Sequence, residues 1–229
     1  SACPNVADWE SAFGESGDVI AFTITSNLSG SYNAACVGRE MVLERSPEKK
    51  IHIFDSESAS AGETLIALML RDRIDGGHSF EDIVAEMTAF IARMKTRFVL
   101  EDLSNLVKNG RISKVAGVFG GLLDICPLLN MDNLGRLIPR SKIRGKKRVL
   151  KEIVARMEEH AQGGLDYSGK CYISNSACYD DARAVADAIE QKFPKLNGKV
   201  EIYSVGTTIG SHTGPGTVAL FFWGDERKD

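Results

Sequence analysis

Residues 18–45, DVIAFTITSNLSGSYNAACVGREMVLER, contain the pattern that decides the fold class. The short β-branched run at their start is typical of a buried strand, and the longer amphipathic run behind it predicts a helix that its serines can cap. The same order returns in KIHIFDS at 50–56, a second predicted strand, which leads into predicted helices over 63–74 and 79–95. Strands that alternate with helices predict an α/β fold.

The second half of the chain continues this alternation and adds one antiparallel unit. TRFVLE at 96–101 is a predicted strand, and two predicted helices follow it, the second over 113–123. CPLLNMDNLGRLIPRSKIRG at 126–145 predicts a hairpin, because two alternating segments flank a turn at Asp132 and Asn133. A charged helix and further strands and helices complete the chain. The change of element near residues 94–97 predicts a domain boundary there.

Composition excludes several protein classes. The chain has 229 residues, of which 43% are hydrophobic and 26% are charged, with a formal net charge of −3. These values exclude collagen-like, disordered and disulfide-scaffold proteins. No apolar run reaches the roughly 18–20 residues of a membrane span, and no signal-peptide pattern is found, so we expect a cytoplasmic protein. The five cysteines are scattered without a CxxC pair, which favours buried thiols and argues against a metal site.

The segment TITSNLSGSY at 23–32 is the first candidate site. An apolar strand ends there in hydroxyl residues around Gly30 and leads into a helix. Free backbone N–H groups, the positive end of the helix dipole and hydroxyl donors suit an anion such as a carboxylate or phosphate. The alternative is that Ser26, Ser29 and Ser31 only cap the helix.

The second candidate is His212, which lies in GTTIGSHTGPGTVALFFW at 206–223. Small residues let the backbone approach a ligand closely, and an imidazole can donate a hydrogen bond to an oxyanion. The other histidines, His52, His78 and His160, are interpreted as structural.

Glycines at 110, 117, 120 and 121 alternate with apolar residues along a helix-like stretch. They predict either the wall of a tunnel or a closely packed helix. Arg111 follows the first of them, where a guanidinium can join two loops or meet a carboxylate.

The segment RSKIRGKKRVLK at 140–151 is locally basic. A solvated face is the ordinary interpretation, followed by contact with an acidic protein partner; nucleic acid ranks last because the whole chain is acidic. The phosphate-loop, dinucleotide-binding, zinc-protease and nucleophile-elbow motifs are all missing, so no strong enzyme signature is present.

Five segments in the same order resemble the DegV family, the bacterial fatty-acid-binding proteins that work with a fatty acid kinase. They are TSNLSGSYNAA at 25–35, DLSNLVKNGRIS at 102–113, GGLLDICPLL at 120–129, KIRGKKRVLKEI at 142–153 and IGSHTGPGTVALFFWG at 209–224. The resemblance implies two α/β domains: residues 1–95, with a doubly wound parallel sheet, and residues 96–229, with a mixed sheet. Family members begin with a further strand and helix, and we expect the first domain to lack that unit here.

The resemblance also implies a function and a set of site residues. The protein would enclose one long-chain fatty acid in a buried tunnel and present its carboxylate to a separate kinase, which forms an acyl phosphate for phospholipid synthesis. The implied carboxylate ligands are Ser29, His212, Ser1 and Arg111. Gly30, Thr213 and Gly214 would shape the tunnel and its loops.

Arg144, Lys146 and Lys147 resemble the surface that meets the kinase. We expect no cofactor, no metal, no nucleic acid and no membrane-spanning segment, while transient contact with a membrane stays open. The alternative is a serine hydrolase acting on a lipid ester, with Ser29 as nucleophile and His212 as base. It lacks a clear orienting acid and a nucleophile elbow.

Overall fold

The computed structural model describes residues 2–101, 103–112 and 125–227. Helices and strands alternate along most of the chain. The helices are α1 (Val6–Glu15), α2 (Ser31–Leu43), α3 (Ala61–Asp75), α4 (Phe80–Ile91), α5 (Ser104–Lys108), α6 (Lys146–His160), α7 (Tyr179–Lys192) and α8 (Thr207–Thr213). The strands are β1 (Val19–Thr23), β2 (Ile51–Asp55), β3 (Met94–Val99), β4 (Ile125–Met131), β5 (Leu137–Arg144), β6 (Tyr172–Asn175), β7 (Glu201–Ser204) and β8 (Val218–Trp223).

Strands β1 and β2 form a two-stranded parallel sheet, as the βαβ pattern predicts. The two faces of this sheet pack against different hydrophobic cores. One face packs against α1 and α2 through a small core that includes Phe13, Ala35 and Ile53, while Phe54 on the other face joins the main core. This arrangement confirms the predicted α/β class.

The other six strands form one mixed sheet in the order β5-β4-β3-β8-β6-β7. The predicted hairpin is present as the antiparallel pair β4 and β5, with a register shift between Leu128 and Leu129. Only β6 and β7 run parallel among the neighbours in this sheet. The mixed sheet is therefore also confirmed.

The main core joins the mixed sheet to helices from both halves of the chain. Ile66 of α3 and Met87 of α4 belong to the same buried cluster as Phe222 of β8 and Ile153 of α6. The predicted boundary between residues 95 and 96 follows α4 and falls inside β3. The division into two domains stays a prediction.

Two helices were missed by the hydrophobic pattern. Helix α1 begins with a capping box, in which the Asn5 side chain accepts from the Asp8 N–H and the Asp8 side chain accepts from the Asn5 N–H. The spacing Asn5-x-x-Asp8 is the signal that could have found it. Helix α8 consists mainly of Thr, Ser and Gly, which have low helix propensity, so only its tertiary contacts define it.

Candidate functional site

A cavity of about 510 Å³ lies between the β1–α2 loop, α8 and the mixed sheet. Its lining is mostly apolar, and we call the side where Arg111 is exposed the mouth of the cavity. The apolar wall is formed mainly by residues of the mixed sheet, namely Phe98, Met131, Leu137, Ala219 and Phe221. The mouth brings together three residues that the sequence singled out, namely Ser29, Arg111 and His212. A cavity of this size is in the range that holds small ligands.

Ser29 lies directly before helix α2, whose N-cap is Gly30. The Ser29 Oγ is 2.9 Å from the Ser31 Oγ and accepts a hydrogen bond of 3.2 Å from the Ser31 N–H. The N-cap residue Gly30 has no side chain of its own to cap this helix end. Hydroxyl groups and the positive end of the helix dipole therefore face the cavity mouth together, which suits an anion.

Arg111 joins two loops at the mouth. Its Nε donates to the Leu28 carbonyl at 3.2 Å, and its Nη1 donates to the Asn109 carbonyl at 2.6 Å. Gly110 has a φ of 69°, a conformation that glycine adopts without strain. The guanidinium is thus bonded to the residue that precedes Ser29 in the chain, and Arg111 remains exposed to solvent.

His212 lies near the end of α8 and is half-buried. Burial lowers the pKa of its imidazole, and the positive charge of Arg111 lowers that pKa further. The ring is therefore mostly neutral at pH 7. A neutral imidazole donates one hydrogen bond, and the nearby guanidinium supplies positive charge.

The end of α8 depends on a glycine. Gly214 has a φ of 77°, and a Cβ there would lie 2.4 Å from the Asn105 Nδ2. The Thr213 hydroxyl donates back to the Ile209 carbonyl at 3.1 Å. The Thr217 hydroxyl lies within donating distance of two carbonyls, Thr213 at 3.3 Å and Gly214 at 3.1 Å. Gly30, Thr213 and Gly214 thus flank the mouth, and the first two line the cavity.

Sequence reasoning missed the deep wall of the cavity. Thr96 and Phe98 of β3 line it, and they pair with Phe221 and Ala219 of β8. Every second residue of a strand points to the same face, so these four side chains share one face of the sheet. Strand β8 is apolar at every position and both strands are buried throughout, so the sequence did not tell which face would meet a cavity.

The loop after β2 supplies hydroxyl groups to the wall. Ser60 has a φ of 57° and donates to the Ser174 Oγ at 2.9 Å. The Ser58 Oγ lies 3.2 Å from the Thr96 Oγ1. Because these hydroxyl groups are hydrogen-bonded to one another, they do not need a polar group of the ligand as a partner.

The three residues predicted to meet a partner lie away from the cavity lining. Arg144 and Lys147 are exposed. Lys146 is different, because its Nζ lies 2.9 Å from a Glu101 carboxylate oxygen and 2.7 Å from an Asp181 carboxylate oxygen. These carboxylates raise the pKa of Lys146, so its charge is compensated locally.

The remaining predictions concern other parts of the chain. Ser1 lies outside the described residues, as do Gly117, Gly120 and Gly121 of the expected tunnel wall and the helix predicted over 113–123. In the part of the chain that the structure describes, no cluster of three His, Cys, Asp or Glu side chains could hold a metal ion. Nor do the described helices include one with the length and hydropathy needed to cross a bilayer.

The family model described as "Uncharacterised protein, DegV family" matches residues 1–225. The chain belongs to the DegV family. A DegV domain-containing protein of Clostridium perfringens is 31% identical over 210 residues, which cover 92% of this chain and 71% of that protein. A DegV domain-containing protein of Streptococcus pneumoniae is 36% identical over 204 residues, covering 87% of this chain and 70% of that protein. The family assignment from the sequence motifs is confirmed.

Solved DegV structures share the fold. A DegV family protein from Eubacterium eligens, loaded with heptadecanoic acid, has a TM-score of 0.88 at 28% identity, covering 98% of this chain and 79% of that one. The fatty acid kinase (Fak) B3 protein of Streptococcus pneumoniae, loaded with linoleic acid, also has a TM-score of 0.88, at 31% identity, covering 98% of this chain and 78% of that one.

Proposed function

We propose that this DegV protein binds one long-chain fatty acid, with the tail in the cavity and the carboxylate at the mouth. The observation that carries the proposal is the cavity of about 510 Å³ whose lining joins apolar side chains to Ser29, Arg111 and His212. An aliphatic acid has the same division into an apolar tail and one anionic end. The two fatty-acid-loaded relatives described above support the same ligand class.

The tail contributes most of the binding free energy. Burial is worth roughly 0.8 kcal/mol per methylene, so about 14 methylenes contribute about 11 kcal/mol before the costs of association. A hydrogen bond to a charged group contributes only about 1.5–3 kcal/mol. Ser29 and His212 therefore set the orientation of the ligand more than its affinity.

The proposed carboxylate site uses donors of three kinds. The Ser29 hydroxyl and the neutral His212 imidazole each donate one hydrogen bond, and Arg111 supplies positive charge nearby. This set holds the acid group at the polar end of the cavity. Ser1 is part of the proposal through the family resemblance alone.

We further propose that the protein is a cytoplasmic carrier and not itself an enzyme. A separate fatty acid kinase would phosphorylate the presented carboxylate, and the relative that carries the kinase name supports this partner. Arg144 and Lys147 offer exposed positive charge for the contact, whereas Lys146 is held by Glu101 and Asp181. Lys146 would therefore hold Glu101 and Asp181 together and contribute less than Arg144 and Lys147 to kinase recognition.

The hydrolase alternative needs a base at the Ser29 hydroxyl. The Ser29 Oγ pairs with the Ser31 hydroxyl, which is a poor base, and this contact favours binding over nucleophilic attack. A fluorophosphonate probe that labels Ser29 would support the hydrolase instead.

Native mass spectrometry of the purified protein, before and after denaturation, tests the ligand class. We expect a mass excess that denaturation releases as one long-chain fatty acid per chain. If the protein stays free of lipid when incubated with oleic acid, the proposal is wrong.

Two substitutions test the division between head and tail. Ser29→Ala and His212→Ala should each reduce phosphorylation of the bound acid by a kinase more than they reduce the amount of bound lipid, because the tail supplies most of the affinity. Lipid content and acyl phosphate are measured on the same samples. Ser211→Ala is the matched control, since Ser211 is exposed and its hydroxyl donates to the Thr208 carbonyl. Equal loss of lipid and phosphorylation would contradict this division.

A further inference from the structure

A second concave surface lies between helices α6 and α7, and its lining shares no residue with the fatty-acid cavity. This helix groove has a volume of about 660 Å³. Its floor contains Leu150 and Val154 on α6 and Ala184 and Ala188 on α7. Each pair is four residues apart, so its members lie one helical turn from each other on the same face.

The rim of the helix groove is basic. Lys147 and Lys151 stand one turn apart on α6, both exposed, and neither forms an ion pair with a described residue. Lys192 on α7 also lines the groove and pairs with Glu158. Two uncompensated positive charges therefore border the apolar floor.

We propose that the helix groove is the docking site for an acidic amphipathic helix of a protein partner. An amphipathic helix places apolar anchors three or four residues apart, and the floor repeats at that spacing. The exposed alanines of α7 let a partner backbone approach closely. Carboxylates on the partner helix would pair with Lys147 and Lys151, so charge complementarity requires a negatively charged partner helix.

The shape of the groove favours a helix over a lipid surface. Val154 is only 6% exposed, so the α6 part of the floor is recessed below the exposed lysines. Among the described residues that line the groove, none is aromatic. Insertion into a bilayer interface commonly uses large protruding side chains such as Trp, Phe or Leu. In the groove the larger aliphatic side chains are buried or half-buried, and the exposed apolar residues are alanines.

No residue of the fatty-acid cavity lines the helix groove, so binding at the groove does not depend on the proposed ligand. Lys147 is the one residue that the groove lining shares with the proposed kinase surface. Fatty-acid content is therefore measured on every variant, so that a failure of docking is told apart from a failure of lipid binding.

The probe is a fluorescein-labelled synthetic helical peptide of about four turns. It carries a stripe of Leu and Ala at helical spacing, flanked on both sides by Glu. Fluorescence anisotropy with the full chain should give saturable binding that weakens as salt is raised. A peptide with the same stripe and Lys in place of Glu should bind far more weakly.

Variants locate the binding. Lys151→Glu should lower the affinity for the acidic peptide by about fivefold or more, since it converts an attractive charge pair into a repulsive one. Ala188→Glu should abolish binding by placing a carboxylate on the floor. Arg148→Glu is the matched control, because Arg148 is exposed on the same helix and lies outside the groove lining. It should change binding by less than about twofold.

Several results would overturn the proposal. These are the absence of saturable peptide binding, equal weakening by Lys151→Glu and Arg148→Glu, and equal affinity for the Glu and Lys peptides. Vesicles that contain phosphatidylglycerol are tested in parallel. Vesicle binding that Lys151→Glu removes would assign the groove to a membrane surface instead. Circular dichroism and thermal unfolding verify that each variant is folded.

Discussion

Two features of its surroundings set the protonation state of His212, namely its partial burial and the positive charge of Arg111. Burial removes water from the imidazolium, and Arg111 repels it, so the pKa of the ring lies below its ordinary value of 6.5. A carboxylate bound at the mouth would introduce the opposite charge. It would stabilise the protonated ring and oppose both of these effects.

We therefore expect fatty-acid binding to raise the pKa of His212. Because the loaded protein then binds the proton more tightly, ligand affinity should rise as the pH falls through the range between the two pKa values. NMR titration of the imidazole signals, with and without bound fatty acid, measures the shift.

His52 is the internal control for this titration. Burial and Arg39 lower the pKa of His52, which lies on β2 outside the cavity lining. Its pKa should be the same in both states. A His212 pKa that also stays constant would place the carboxylate elsewhere.

At the scale of single elements, the start of α3 carries a conflict between two effects. Glu63 is in the first turn, where the helix dipole favours a negative charge, worth about 0.3–1 kcal/mol. Burial nevertheless raises the pKa of Glu63 to about 7, against the hydrogen bond from the Ser60 backbone. Desolvation is the larger effect here.

This conflict predicts a pH-dependent gain from Glu63→Gln. The folded state holds the Glu63 proton more tightly than the unfolded chain does, so folding stability should fall as the pH rises from the ordinary value of 4.5 through about 7. Removing the carboxyl group removes this loss. The variant should gain about 2 kcal/mol more in free energy of unfolding at pH 8 than at pH 5, measured by urea denaturation.

Asp72→Asn is the comparison for this experiment, because Asp72 is exposed near the other end of α3. Its effect on the free energy of unfolding should be nearly the same at both pH values. A Glu63→Gln gain that does not depend on pH would show that the carboxyl group is well solvated.

Element prediction succeeded where one face of an element is apolar. Helix α4 begins at Phe80 after Ser79, whose side chain accepts from the Asp82 N–H as its position in the pattern suggests. Strands β1 and β2 follow their β-branched runs. Helix α8 has no such face, and an interaction from Asn109 to the Ser211 carbonyl at 3.3 Å helps hold it against α5.

At the scale of the whole molecule, Arg227 connects the C-terminal segment to the first half of the chain. Its Nη1 donates to the Glu57 carbonyl at 2.9 Å, and its Nη2 donates to the Ile91 carbonyl at 2.9 Å and pairs with the Glu57 carboxylate. The Arg227 side chain is buried. Three separate segments therefore meet at one guanidinium.

Arg227→Ala should lower the free energy of unfolding by about 3–5 kcal/mol, because it leaves a half-buried carboxylate and two carbonyls without their donor. Urea denaturation followed by circular dichroism measures the change. Arg71→Ala should change stability by less than about 1 kcal/mol, since Arg71 and its partner Asp75 are exposed. Equal effects of the two substitutions would contradict the structural role of Arg227.

The site could be predicted only in part. The resemblance of local motifs named Ser29, Arg111 and His212, and the fold places all three at one cavity mouth. Nothing local indicated that Lys146 would be held between Glu101 and Asp181, because these two carboxylates come from distant segments. The basic segment is thus less uniform than its sequence suggests.

The sequence by itself determined the α/β class, the hairpin and the family, since hydrophobic period, turn residues and ordered motifs are local properties that survive without coordinates. Tertiary structure alone decided which faces of β3 and β8 line a cavity and which lysines keep an uncompensated charge. It also decided that burial raises the pKa of Glu63 and lowers the pKa of His212. The physical reason is that desolvation and charge pairing depend on distances between residues far apart in the chain. Those distances exist only once the chain has folded.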